Sequence, residues 1–365
     1  MNEVSTAALG LAIQANTPCV LKGDPGNGKT SIINAMSKAL GWPFGCFVGT
    51  CRLPEDIGGY PVVDLVNNRV RLLPVGDCFS ELIAAGKGVL LINEIGSTVP
   101  AMQAALMRVV QERYAGDVKL PDGISIVLDM NPTDTAINAN EIGAPVANRM
   151  IHLDWVTDPK VVIQGFLDEF PEPVFPRVPE GWRNEIRGVR TLVASFLQTF
   201  PQHVHAVPKE ESKRCEAWPS PRSWYGLAIP ALAAARAANA SNEVQTLLLG
   251  GAVGNSVAIE FLSWLRKMDL PNPLDLLKDP KKFKMYDRQD KNFAVLNSVV
   301  AAAIGNLTPD YWVAAWTILA ECAKQGHVDV AAAACRSLAR NRNGKLPSVT
   351  KMLEPFAPVL QAAGL

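Results

Sequence analysis

Gly23-Asp24-Pro25-Gly26-Asn27-Gly28-Lys29-Thr30, followed by Ser31, is the stretch on which the reading of this chain turns. It fits the pattern of glycine, four residues, then Gly-Lys-Thr. At average residue usage such a run arises by chance in roughly one chain of this length in a hundred. Its flanks add to it. Cys19-Val20-Leu21 is an apolar run suited to a buried strand, and Ser31 to Leu40 carries Ile32, Ile33, Met36 and Leu40 at helical spacing. Strand, glycine loop and helix in that order predict a phosphate-binding loop. Its glycines let backbone N–H groups converge on phosphate oxygens where the helix dipole favours negative charge. Lys29 then meets the β- and γ-phosphates and the Thr30 hydroxyl meets a magnesium ion. The residues from Gly23 to Ser31 form the expected nucleotide-binding segment.

Working outward, residues 1–17 read as a helix that delivers the chain to the first strand. Phe44 to Val48 reads as a second strand. Val62–Val66 and Arg69–Leu73 flank Asn67-Asn68 and predict a hairpin, because asparagine tolerates positive φ. Whether that hairpin is a solvated flap or touches a partner is open. Gly88-Val89-Leu90-Leu91-Ile92-Asn93-Glu94 is an apolar run ending in two polar residues, as in a parallel strand buried on both faces. Such residues emerge where open α/β sheets bind ligands. Glu94 is therefore the candidate to activate water, with a helix cap as the alternative. A second hairpin is expected within Tyr114–Ile126, around either Gly116-Asp117 or Pro121-Asp122-Gly123. Ile124–Met130 is a further strand, delivering Asn131-Pro132. A polar loop then leads to Pro145 and a last strand at Met150–Leu153. The alternation is that of a parallel sheet covered by helices. Past Asp154 helices are expected over 160–170, 182–200, 222–239, 243–268, 292–304, 309–325, 328–340 and 348–362. Lys278–Lys291 is a charged loop, either a solvated linker or a binding patch.

Composition narrows the function classes. At 365 residues, 48% of them hydrophobic, the chain is long enough for two or three domains. Basic and acidic residues balance at 35 each; the first 157 residues carry 11 basic and 15 acidic, the rest 24 and 20. That excess is too weak to argue for nucleic acid. Seven cysteines without a C-x-x-C pair argue against a disulfide framework or zinc site. No signal peptide is evident and no apolar run is long enough for a bilayer, so a cytoplasmic protein is expected.

In the order of its parts, the first 155 residues resemble an AAA+ ATPase, and within that class the MoxR branch. Residues 23–30 look like its Walker A segment, and Val89–Glu94 is similar to Walker B with Glu94 as the catalytic glutamate. Asn131 stands where the family has sensor 1, and Arg149, in Ala147-Asn148-Arg149-Met150, resembles its arginine finger. Trp218-Pro219-Ser220-Pro221-Arg222-Ser223 resembles the sensor 2 motif, with Ser220 suited to cap a helix and Pro221 to its first position. The resemblance implies an α/β AAA+ core over 1–157 with inserted hairpins, an all-α lid over 158–269 and a helical region over 270–365. It implies ATP and Mg²⁺ as cofactors, with Glu94, Asn131, Arg149 and Arg222 catalytic. It also implies a homo-oligomeric ring, usually of six, in which Arg149 serves the neighbouring subunit, and chaperone-like remodelling of a protein client beside a separate von Willebrand A domain partner. The chain departs from the family at Asn93, where an aspartate usually holds magnesium through its waters. Asp129, two residues before Asn131 and on the same side of its strand, is the candidate to restore that charge. Two other readings stand: a ring ATPase that translocates nucleic acid, and an ATP-binding scaffold made slow by Asn93.

Overall fold

The computed structural model describes residues 3–132 and 142–365. Residues 133–141, which fall in the polar loop expected before Pro145, lie outside the described residues. The chain forms two units: one of residues up to 182 together with 204–259, the other of 183–203 together with 260–365.

The first unit begins with α1 (Glu3–Ala15) and β1 (Cys19–Lys22), then α2 (Lys29–Ala39) and β2 (Phe44–Val48). Next come α3 (Pro54–Gly58), β3 (Tyr60–Asp64), β4 (Arg69–Leu73), α4 (Asp77–Ala85) and β5 (Lys87–Asn93). They are followed by α5 (Pro100–Glu112), β6 (Tyr114–Ala115), β7 (Val118–Lys119), β8 (Gly123–Met130), α6 (Ala144–Ala147) and β9 (Ile151–Asp154). Five strands form one parallel sheet in the order β2-β5-β8-β1-β9. The continuous apolar runs of β5 and β8 explain their central places, since a strand covered on both faces has no polar side to show. This is the α/β core that the sequence predicts, a parallel sheet covered by helices, followed by a helical part. β8 lies between β1 and β5, so Asp129 and Asn131 come between the glycine loop and Glu94.

The hairpins differ in detail from expectation. The strand expected over Val62–Val66 stops at Asp64, whose carboxylate accepts from the Asn67 N–H at 3.1 Å and from Asn67 Nδ2 at 2.8 Å. That side-chain turn peels Leu65 and Val66 out of the ladder, leaving them 87% and 93% exposed. Of the two turns open for the second hairpin, Gly116-Asp117 makes it: β6 and β7 pair across it. The hairpins are joined, since Asp117 N–H donates to the Leu72 carbonyl at 2.7 Å and Asp117 Oδ2 accepts from Leu72 N–H at 2.8 Å.

Past β9 the described chain is helical: α7 (Pro159–Asp168), α8 (Glu185–Thr199), α9 (Pro221–Ser223), α10 (Ile229–Ala237), α11 (Asn242–Val253) and α12 (Asn255–Met268), then α13 (Pro273–Lys278), α14 (Gln289–Gly305), α15 (Pro309–Lys324) and α16 (Val328–Ala339). The helix expected over 222–239 is interrupted by a wide turn at Trp224–Ala228, just before Pro230, a residue that offers no N–H to the helical ladder. The helix expected over 243–268 is two, parted at Gly254. The one expected over 348–362 breaks into short turns around Pro355 and Pro358. Past β9, α13 is not among the expected helices; Asn272 caps it and Pro273 opens it. In the first unit α11 lies directly on β9, where Gly251 permits the approach; a Cβ there would stand 2.3 Å from the His152 carbonyl oxygen. The second unit packs α8 and α13–α16 around its own core, with Trp312 and Trp316 edge-to-face and Phe356 beside them.

Candidate functional site

Parallel strands bring the C-terminal ends of β1, β5 and β8 to one edge of the sheet, with Lys22 level with Met130 and Ile92 level with Leu128. Each ends in the polar residues that the sequence singles out. A cleft of about 320 Å³ opens there, lined by Pro25 to Ser31, Asn93, Glu94, Asp129 and Asn131. Gly26 and Gly28 carry φ of 80° and 81°, the left-handed region that glycine adopts without strain. α2 starts at Lys29 with no side chain capping it, so the N–H groups of its first turn have no side-chain cap.

Lys29 is buried. Its ammonium donates to the Gly23 carbonyl at 2.7 Å, to the Asp24 carbonyl at 3.0 Å and to Asn131 Oδ1 at 3.0 Å. Burial holds its pKa below the usual lysine value, while Asp129, Asp24 and Glu94 pull the other way. The three donors of the ammonium are thus held on neutral oxygens, which a phosphate would displace.

Glu94 adopts a left-handed backbone (φ 60°, ψ 40°), costly for a residue with a Cβ. Two contacts hold it. Its N–H donates to Asp129 Oδ1 at 2.6 Å, and its Oε2 accepts from the Thr50 hydroxyl at 2.7 Å. Asp129 is itself only 5% exposed, and burial lifts its carboxyl above the usual carboxylate range, against the pull of the Glu94 N–H and Lys29. Asp129 therefore orients Glu94 as well as facing the cleft beside Asn93.

Gly23, Asp24 and Asn27 border an adjoining cavity of about 430 Å³ with Lys22, Asp154 and Trp155. Here the loop is tied to the exit of β9. Asn27 Nδ2 donates to the Trp155 carbonyl at 3.0 Å, and the Asn27 carbonyl accepts from Trp155 Nε1 at 3.2 Å and from the Thr157 hydroxyl at 3.1 Å. Thr50, Trp155 and Thr157 carry no motif signal; only the fold brings them in.

Arg149 and Arg222 stand apart. Among the described residues that line the 320 Å³ cleft, neither appears. They belong instead to neighbouring segments, since Asn148 is hydrogen-bonded to Trp218 and Ser220. Ser220 does cap α9, accepting from Ser223 N–H at 3.0 Å, and Pro221 opens it. The Arg149 Nη1 donates to the Pro145 carbonyl, its buried Nε has no partner among the described residues, and burial and then the Arg222 charge push its pKa down.

Among the described residues no group of three or more His, Cys, Asp or Glu is placed to hold a metal, and no helix is long and apolar enough to cross a membrane. Cys19, Cys322 and Cys335 are buried.

No family model matches the chain. It is 35% identical over 97 residues to the protein MoxR of Paracoccus denitrificans. The match covers 26% of this chain and spans 27% of that relative's length. Among solved structures it is similar to a candidate ATPase of Cytophaga hutchinsonii, with a TM-score of 0.47 and 16% identity over 72% of this chain and 92% of that one.

Proposed function

We propose that this chain is an AAA+ ATPase of MoxR type, which assembles into a ring, usually of six, and spends ATP hydrolysis on remodelling a protein client. One observation carries the reading. The glycine-loop segment, Asn93, Glu94, Asp129 and Asn131 come from three strands yet line a single cleft. Phosphoryl transfer to water asks for charge neutralised on the γ-oxygens and an oriented water, with little covalent work from the protein. In this reading the first-turn N–H groups of α2 and Lys29 bind phosphate, Asn131 bonds the γ-phosphate or the attacking water, and Glu94 takes the water's proton. The donor set suits magnesium, which binds through one or two carboxylates, substrate phosphates and water rather than an all-protein cage. Thr30 would hold it directly, Asn93 through a water, and Asp129 would lend charge. When bound, it would neutralise negative charge on the phosphates. Arg149 would serve a neighbouring copy. A separate von Willebrand A domain protein as partner, and a cytoplasmic site of action, follow from the same resemblance.

A second reading draws on Asn93, which lacks the charge of the usual aspartate: an ATP-binding scaffold with weak hydrolysis. The two part in one experiment, measuring ATP binding and turnover in wild type, Lys29→Ala and Glu94→Gln. The ATPase reading expects Glu94→Gln to bind ATP with turnover reduced roughly 10²- to 10⁴-fold, as for loss of a general base, and Lys29→Ala to lose binding. Wild-type turnover no faster than Glu94→Gln would leave the scaffold.

A further inference from the structure

We propose that Asn148 is a positioning residue that fastens Arg149 and Arg222 into one two-cation device, offered to a phosphate outside their own cleft. The inference rests on the ATPase reading above and deepens it.

Asn148 is 2% exposed and uses both ends of its amide. Nδ2 donates to the Trp218 carbonyl at 2.9 Å, and Oδ1 accepts from the Ser220 hydroxyl at 2.6 Å. The other groups close the circuit. Ser220 Oγ also accepts from Ser223 N–H at 3.0 Å, Ser223 Oγ accepts from Ser220 N–H at 2.9 Å, and Ser223 Oγ donates to the Trp218 carbonyl at 3.0 Å. A buried polar network satisfied at every member is rigid and specific; one broken member leaves its partners unpaired. This one joins the residue before Arg149 to Ser220 and Ser223, which flank Pro221-Arg222. Only an amide fits, since the site needs one donor and one acceptor on the same planar group.

Arg149 and Arg222 repel as like charges, and among the described residues neither has an ion-pair partner, so an anion that meets both would relieve the repulsion. Arg222 is exposed and, among the described residues, has no ion-pair partner. Neither arginine lines the cleft beside Lys29. Burial, and then the Arg222 charge, push the Arg149 pKa down. The anion with the right charge is the γ-phosphate held by a second copy of this chain.

The test uses the full-length chain in two forms mixed with ATP and magnesium. A holder, Arg149→Ala/Arg222→Ala, keeps its cleft and has no arginines to give. A giver, Glu94→Gln, keeps its arginines and cannot hydrolyse. The mixture is expected to turn over ATP where neither form alone does. Asn148→Ala placed in the giver should cut that turnover about 10- to 100-fold, the scale of a misplaced catalytic group. Placed in the holder it should leave turnover unchanged. Ser220→Ala in the giver should cost as much and add nothing to Asn148→Ala, and Asn148→Asp should not rescue. It also serves if Asn148→Ala lowers the melting temperature too far to assay. Equal losses in both arms, or no loss in either, would overturn the proposal. So would a mixture that stays silent while wild type is active, which leaves the ATPase reading standing; a silent wild type would instead remove that reading.

Discussion

The cleft beside Lys29 and the segment holding Arg149 and Arg222 lie in the same unit and are built in opposite ways. In the cleft the cation is already surrounded: Lys29 has three oxygen acceptors, and the carboxylates of Asp129, Asp24 and Glu94 act on it. At the arginines the Asn148 amide is paired at both ends, while among the described residues neither guanidinium has an ion-pair partner. On the ATPase reading, the first region would bind phosphate and leave no cation over, while the second would offer cations that have no anion of their own. The difference teaches that, if that reading holds, one copy carries only half of a phosphoryl-transfer site.

That contrast can be broken from either side. The largest effect belongs to Arg149→Ala, expected to lower ATP turnover roughly 10³-fold, the lower range for an arginine finger, with nucleotide binding kept; steady-state kinetics beside a binding titration decide it. On the cleft side, Asp129→Ala removes the acceptor of the Glu94 N–H and should cost about 10- to 100-fold in kcat, as for a hydrogen bond to a charged group. An unchanged rate and magnesium requirement would show that Asp129 neither orients Glu94 nor aids the metal.

A third prediction concerns the floor on which the arginine segment rests. His152 in β9 is half-buried with its Nδ1 enclosed, Nε2 lies 2.8 Å from the Ala147 carbonyl, and desolvation, then the Lys22 charge, drive its pKa down to about 3. Its folded value lies below its unfolded value, so the neutral ring is favoured by folding. This contribution is complete above about pH 6.5 and is lost as pH falls toward 3. Stability should therefore drop by at most about 1.4 kcal/mol per pH unit across that window from this group. Denaturant midpoints of His152→Gln should show a shallower slope by one proton. The smallest expected effect is at Thr50→Val, which releases the Glu94 carboxylate and should raise basal turnover by about two- to fivefold, the worth of one exposed hydrogen bond. A fall would mean that Thr50 holds Glu94 in its working position.

What the sequence made legible is what chemistry writes locally. Gly23 to Ser31 carry their own pattern, and Glu94 and Asn131 end apolar runs, so their place at the sheet edge follows from strand direction alone. The parallel sheet follows from the same runs. The missing parts act across the chain. Thr50 meets Glu94 over 44 positions, Asn148 meets Ser220 over 72, and Asn27 meets Trp155 over 128. Neither Thr50 nor Trp155 is unusual in its neighbourhood, and Asn148 stands out only as the neighbour of Arg149. The hairpin tip misled for a related reason: Asp64 prefers its own turn to the ladder, a choice between hydrogen-bond partners that alternation of residues does not encode.

Whether a second copy completes each site is tested most directly by turnover per chain against protein concentration, with mass measured in the same samples in ATP and magnesium. The rate per chain should rise with concentration and level off where the ring forms, and Arg149→Ala should assemble without that rise. A constant rate per chain from a protein that stays a monomer in ATP would contradict the account.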